Sequence, residues 1–270
     1  MTDRILVFIP CYNCAPQIGR VLGQVRGAVA GEVEEVLVLD NGSRDGTVEA
    51  AIAAAELVEA GAVTVGRNLE NYNLGGSHKA AYAYARKEGF SHVVTLHGDD
   101  QGDLRDILPV LAAGAHRRFD ACMGARFARG SRLTNYSAFR IFGNRAFNLV
   151  FSAASRRWVT DMGSGLNILA HKAYADPALL RLPDDLHFNP YLLLDMYDRG
   201  NRVAFFPISW REEDQVSNVK MASQALKTLG AAARYAFARR RFRASDFRAV
   251  PRPTYAFETI ARFEGGVRSI

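Results

Sequence analysis

Apolar residues gather in short unbroken runs along the first hundred positions, and between those runs they recur every three or four. Arg4 to Pro10 reads as an apolar strand stopped by proline, and Glu35 to Leu39, Ala62 to Val65 and a run opening at Val93 repeat the pattern. Unbroken β-branched runs of this length suit strands covered on both faces. Between the first two, Ile18, Val21, Leu22, Val25 and Val29 set one apolar stripe on a helix from Pro16 to Ala30. An alanine-rich helix over Thr47 to Ala60 and another over Ser77 to Lys87 complete a β-α-β-α-β-α-β order. That order predicts an α/β fold with a mostly parallel sheet and helices on both faces.

Ligands of such sheets bind beyond the carboxyl ends of the strands. Every predicted strand here ends in a polar loop: Tyr12-Asn13, Asp40-Asn41, Asn71 to His78, and His97 to Gln101. The last is the most charged, since Asp99, Asp100, Gln101 and Asp103 crowd three carboxylates and an amide into five residues. Carboxylates that close repel one another. A solvated turn accommodates them; a hard divalent cation, Mg²⁺ or Mn²⁺, does so better and travels with substrate phosphates. The loops lack both the Gly-x-Gly-x-x-Gly of dinucleotide binders and the Gly-x4-Gly-Lys-Ser/Thr phosphate loop, so any phosphates must be held by metal and cationic side chains.

Composition changes this picture little. With 270 residues, 49% hydrophobic and 23% charged, the chain can bury a large core and is not disordered. It contains no apolar run of 18 and no signal-like amino terminus, so a cytoplasmic protein is expected. Three cysteines fit a reducing compartment. Cys11 and Cys14 form a Cys-x-x-Cys, but Pro16 puts the helix start after the second cysteine, which weakens a redox reading. The net charge of +6 is local: seven arginines and one acid, Asp246, lie between Arg234 and Arg252. A confined basic element of this kind argues against nucleic acid as a partner.

Four ordered motifs carry a family resemblance: Ile9-Pro-Cys-Tyr-Asn, Val38-Leu-Asp-Asn-Gly-Ser-Arg-Asp-Gly-Thr, Asn73-Leu-Gly-Gly and Leu96-His-Gly-Asp-Asp-Gln. They resemble the nucleotide-binding half of family 2 glycosyltransferases. Gly124-Ala-Arg-Phe, Asp161-Met-Gly-Ser-Gly-Leu-Asn and Pro207-Ile-Ser-Trp extend the likeness to the dolichyl-phosphate-mannose-synthase-like subgroup, over roughly residues 4–220. The resemblance implies a GT-A fold, a UDP- or GDP-sugar donor, Mg²⁺ or Mn²⁺, inversion at the anomeric carbon and a polyprenyl phosphate acceptor. It assigns Pro10, Tyr12, Asn13, Asp40 and Gly42 to the nucleoside, with Asn41 standing where a second aspartate is usual. Asp99 and Gln101 match metal ligands, and His97 occupies the place of the first aspartate, either as a metal contact or as a ribose contact that leaves Asp100 to help hold the metal. Arg126 would meet the pyrophosphate, Asp161 would lie near the acceptor, and Lys220 with Arg211 would close over the phosphates. His78 and Lys79 fall near the phosphates. The Glu-Asp base of alcohol-glycosylating members is missing, since its position falls on Asn189; a phosphate acceptor, already an anion, needs none. Asp161, Asp184 and Asp185 remain candidate bases.

The expected organisation is a GT-A domain over 1–219, with a nucleotide-sugar half (about 1–125) and an acceptor half (about 126–219). A basic amphipathic helix and tail follow over 220–270. Ala222, Leu226, Leu229, Ala233 and Phe237 form the stripe of that helix, which suits a membrane interface as well as it suits packing on the domain. The tail from Ser245 shows no period. Two rival functions stay open: a soluble transferase acting on a saccharide or other hydroxyl acceptor, and a non-catalytic nucleotide-binding or redox module.

Overall fold

The computed structural model describes residues 3–213 and 221–270. Eleven strands lie among the described residues. They are β1 (Ile5–Cys11), β2 (Glu35–Asp40), β3 (Ala62–Asn68), β4 (His92–Leu96), β5 (Ala121–Ala125), β6 (Arg132–Thr134), β7 (Leu166–Ala170), β8 (Val203–Pro207), β9 (Ser209–Arg211), β10 (Phe257–Glu264) and β11 (Val267–Arg268). Nine of them form one sheet in the order β11-β10-β3-β2-β1-β4-β7-β5-β8, and β6 pairs with β9 separately. Parallel pairing joins β3, β2, β1 and β4, and β5 with β8. Only β7 and β10 run against the common direction.

The helices are α1 (Ala15–Leu22), α2 (Thr47–Ala55), α3 (Asn73–Glu88), α4 (Leu108–Ala112), α5 (Ala115–Arg118), α6 (Ala138–Ser155), α7 (His171–Tyr174), α8 (Phe188–Asp198), α9 (Met221–Phe237) and α10 (Arg239–Ala244). Strand alternation divides the core between the two faces of the sheet. Val7 and Ile9 of β1 pack with Ile18, Val21 and Leu22 of α1, whereas Leu6 and Phe8 pack with α3 and α8 residues such as Ala81, Tyr82 and Phe188. Helices therefore cover both faces, as the unbroken apolar runs require.

Three features depart from expectation. The first helix ends at Leu22 and not at Ala30. Gly23 caps it and Gly27 adopts φ +55, a conformation that suits glycine; Val25 and Val29 stay buried in the irregular turns that follow. The second departs only from the packing alternative for α9, which buries Thr228, Ala231, Ala232 and Tyr235 and leaves the Leu226–Leu229–Phe237 stripe outward. Thirdly, the unassigned tail joins the sheet. Its β10 adds antiparallel to β3 from Phe257↔Asn68 to Glu264↔Ala62, burying Ala261 and Phe263. Gly66 makes that approach possible, since a Cβ there would sit 2.6 Å from the Phe257 ring.

Candidate active site

The carboxyl ends of β1, β2, β3, β4 and β5 share an edge with the amino-terminal end of reversed β7, so every sequence motif converges there. Cys11 pairs with Asp40 across β1 and β2, and the Gly98 amide donates to the Pro10 carbonyl. The His97 amide donates to the Gly165 carbonyl, binding the metal-loop candidate to the Asp161–Gly165 turn.

Local chemistry shapes each loop. Asn13 sits at φ +51, its amide donating to Ser43 Oγ while its side-chain oxygen accepts from the Arg44 amide, so the first two loops hold each other. Tyr12 stands above them at 56% exposure, open for a planar ligand to stack on. Asp40 is buried and accepts from the Gly42 and Ser43 amides, with Arg67 Nε at 3.2 Å. Gly42 takes φ +84. Asn41 is a pin: it accepts from Asn68 and the Tyr72 amide and donates to Asn71. A neutral amide does this work where a carboxylate could not donate.

The third loop opens α3 against the segment after Leu182. Gly75 and Gly76 amides both donate to the Asp184 carbonyl, and a Cβ on Gly75 would lie 2.4 Å from the Pro183 carbonyl oxygen. Lys79 is neither beside phosphates nor in solvent. It is buried, donating to the Leu182 carbonyl and, at 2.6 Å, to Asp184 Oδ1, and burial pulls its ammonium down to about 8. His78 stacks on Phe188 at 4.9 Å within the core. Asp184 also accepts from Tyr255 and Arg252, so its oxygens are spent; the Asp185 carboxylate accepts from the His187 amide and faces its ring.

In the fourth loop the carboxylates diverge. Asp100 takes φ +59, is buried, and accepts from Arg20 Nε (2.7 Å), Gln24 Nε2 (3.2 Å) and Arg211 Nη2 (2.5 Å). It therefore ties the loop to α1 and β9. Asp99 is half-buried; burial raises its carboxyl pKa, partly offset by His97. The Gln101 amide group has no hydrogen-bond partner among the described residues, although its backbone N–H donates to Asp99 Oδ1 at 3.3 Å. His97 presses against Gly165, where a Cβ would lie 2.7 Å from the ring. Burial lowers its pKa, favouring the neutral imidazole, and its Nε2 is shielded without a hydrogen-bond partner among the described residues. A raised carboxyl, an uncommitted amide oxygen and an orphaned neutral imidazole nitrogen together suit a divalent cation.

Arg126 follows β5 and meets Asp161 in a buried two-pronged pair, Nε to Oδ2 and Nη2 to Oδ1 both at 2.8 Å. The Arg126 and Gly163 amides fill the remaining positions of that carboxylate. Arg126 Nη1 donates to Tyr136 OH, and its guanidinium lies 5.3 Å over the Trp210 ring. Sequence reasoning found both partners but not the pair, which joins residues 35 positions apart. It also missed Arg20 and Gln24, which no motif marks. Lys220 lies outside the described residues.

Two other clusters stand apart. Asp3, His92 and His116 bring potential ligand atoms within 4.8 Å of one another, but His92 opens β4 whereas Asp99 follows its other end, about 20 Å away along an extended chain. Cys11 and Cys14 are free and buried; the hydrogen bond that the Cys11 thiol donates to Cys14, together with burial, holds that thiol well above its usual range, which suppresses thiolate chemistry.

The profile of glycosyl transferase family 2 matches residues 6–174. Polyprenol monophosphomannose synthase of Mycolicibacterium smegmatis is 29% identical over 150 residues, 54% of this chain and 54% of the relative. Undecaprenyl-phosphate 4-deoxy-4-formamido-L-arabinose transferase of Salmonella paratyphi A is 29% identical over 221 residues, 78% of this chain and 61% of the relative. The chain thus spans between half and three fifths of the length of these curated relatives. Among solved structures, glucosyl-3-phosphoglycerate synthase from Mycobacterium tuberculosis in complex with UDP superposes with a TM-score of 0.60 at 18% identity, covering 85% of this chain and 80% of that one. The same enzyme with Mn²⁺, UDP-glucose and glycerol 3-phosphate gives 0.55 at 19%, covering 89% and 80%. These likenesses establish the shared fold.

Proposed function

The chain belongs to glycosyltransferase family 2, and from that premise we propose that it transfers a sugar, with inversion, from a UDP- or GDP-sugar to a polyprenyl phosphate. Curated relatives named for polyprenyl-phosphate substrates support the acceptor class. One observation on this chain carries it: two arginines at the foot of an exposed aromatic helix, Arg126 paired with Asp161 and Arg140 with Glu212. Arg126 contacts Tyr136, Arg140 lies 5.0 Å over the same ring, and α6 rises from there with Phe139 and Phe142 75% and 74% exposed. A phosphate suits the arginines and a lipid tail suits the aromatic face.

Asp99, Gln101 and His97 are the residues that would hold Mg²⁺ or Mn²⁺. When bound, the ion supplies positive charge where the departing nucleoside diphosphate gathers negative charge. Tyr12, with Pro10 and Asn13, lines the nucleoside, and Asp40 with Gly42 shapes its floor. Asp161 orients Arg126 toward the pyrophosphate; with all its acceptor positions filled it does not serve as base. A phosphate monoester needs no base, because its nucleophilic oxygen is already anionic at neutral pH.

Contact with the membrane is peripheral in this reading. No helix among the described residues is long and apolar enough to cross a bilayer. The outward face of α9, with Phe237 92% exposed, and Trp158 at 72% add to the α6 surface, and Arg145, Arg157 and Arg240 stand exposed beside these residues in the chain. Apolar side chains with nearby arginines suit an anionic lipid interface.

The test is transfer of labelled sugar from UDP- and GDP-sugars to a short-chain polyprenyl phosphate with Mn²⁺. Transfer is expected to fall about a hundredfold or more in Asp99→Asn. Turnover on a water-soluble saccharide with none on the lipid phosphate would overturn the acceptor assignment in favour of the soluble-transferase alternative.

A further inference from the structure

At the amino ends of β1 and β4, away from the donor groove, three residues distant in sequence meet: Asp3 just before β1, His92 opening β4 and His116 in α5. Backbone pairing brings the first two together, since Ile5 registers with His92 and the Ser91 and His92 amides both donate to the Arg4 carbonyl. One potential ligand atom from each of the three lies within 4.8 Å of the other two. Asp3 Oδ1 stands 3.8 Å from His92 Nδ1, too far for a hydrogen bond, and Asp3 Oδ2 lies 2.8 Å from His116 Nε2. Ligand atoms around a tetrahedral Zn²⁺ sit about 3.4 Å apart, between those two distances.

The rings are held as metal-bound imidazoles are held. His92 Nε2–H donates to the His116 carbonyl at 3.1 Å, which leaves Nδ1 as the lone pair on the side of Asp3. Ser91 Oγ contests that lone pair at 2.9 Å, but its single proton has a second acceptor in the Arg4 carbonyl at 3.0 Å. An ion on Nδ1 therefore leaves the hydroxyl with a partner. His116 Nδ1 is buried without a hydrogen-bond partner among the described residues, so no bond there fixes the tautomer, and the ring can carry its proton on Nδ1 and free Nε2. Burial lowers the His92 pKa and favours the neutral ring that ligates. We propose that Asp3, His92 and His116 bind one Zn²⁺-class ion as a structural clasp, distinct from the cation of the donor groove. Two imidazoles and one carboxylate suit Zn²⁺, Co²⁺ or Ni²⁺, whereas Mg²⁺ prefers oxygen ligands. Bound there, the ion ties Asp3 to β4 and α5 and stabilises the folded chain, because unfolding scatters its ligands.

The experiment titrates Zn²⁺ into the full chain, free of any purification tag, by calorimetry in excess Mg²⁺, and records the thermal midpoint with and without Zn²⁺. One ion per chain is expected at this site, with a rise in the midpoint. Asp3→Asn, at a partly exposed position, is expected to weaken Zn²⁺ binding about tenfold or more and to abolish the rise, and His92→Gln to do the same. Asp99→Asn, which disables the donor groove, is expected to leave both unchanged. Should His92→Gln fail to fold, Asp3→Asn decides alone, with its far-ultraviolet spectrum as the control for folding. Absence of Zn²⁺ binding, binding that Asp3→Asn leaves intact, binding lost in Asp99→Asn, or binding without a rise in the midpoint overturns the proposal.

Discussion

At the residue scale, two aspartates of the same loop have opposite fates. Asp100 is buried among cations and its role is to fix the loop, whereas Asp99 keeps a carboxyl that burial makes harder to ionise. Asp161 is likewise spent, gripping Arg126 with both oxygens. Asp161→Asn should therefore lower turnover about tenfold to a hundredfold by loosening Arg126, while the remaining activity keeps the wild-type pH profile. Disappearance of the acidic limb would instead make Asp161 the base. Lys79 offers a test of sign. Its ammonium titrates at about 8 in the folded chain, against 10.5 for a free lysine. Between those values the unfolded chain binds more protons, so this group's contribution to stability rises with pH, and below about 8 it is constant. Denaturant midpoints measured across that window should climb less steeply in Lys79→Met than in the wild type; equal slopes would dispose of the shift. Nothing near position 79 in the sequence announces Asp184, because the pair spans 105 residues.

At the element scale, hydrophobic period predicted which segments are helices and strands better than which face each one buries. The stripe on α9 is real, yet the helix packs through Ala231, Ala232 and Tyr235. Small residues allow close approach to the domain, and the larger apolar side chains are left outside. The tail reads as irregular because β10 lies at the margin of the sheet, with Glu258, Thr259 and Glu264 exposed beside buried Ala261 and Phe263. Phe257, Thr259, Ile260 and Phe263 are strand formers, and the edge of β3 gives the segment its partner. Phe263→Ala should cost about 3–5 kcal/mol in denaturant unfolding, since the ring is almost fully enclosed. A loss below about 1 kcal/mol would mean that the tail is not part of the folding unit.

At the scale of the whole molecule, basic charge and exposed apolar surface fall on α6, the turn after it and the final helices. Part of that charge is neutralised at home: Asp198 takes Arg239 and Arg243, and Arg252 reaches Glu70 and Asp184. Replacing Phe142 and Phe237 with Glu should reduce co-sedimentation with anionic vesicles about tenfold and leave nucleotide binding intact; unchanged sedimentation would remove the membrane from the proposal. By itself the sequence determined the βαβ order, the edge at which the polar loops gather and the family, because strand runs, helix stripes and turn residues are local and periodic. Only the tertiary structure decided that Asp100 and Asp161 bind arginines, that Lys79 is buried, and that the tail completes the sheet. Those outcomes depend on which charges meet across 35 to 105 residues, or on which strand edge is left open, and neither leaves a periodic trace in the chain.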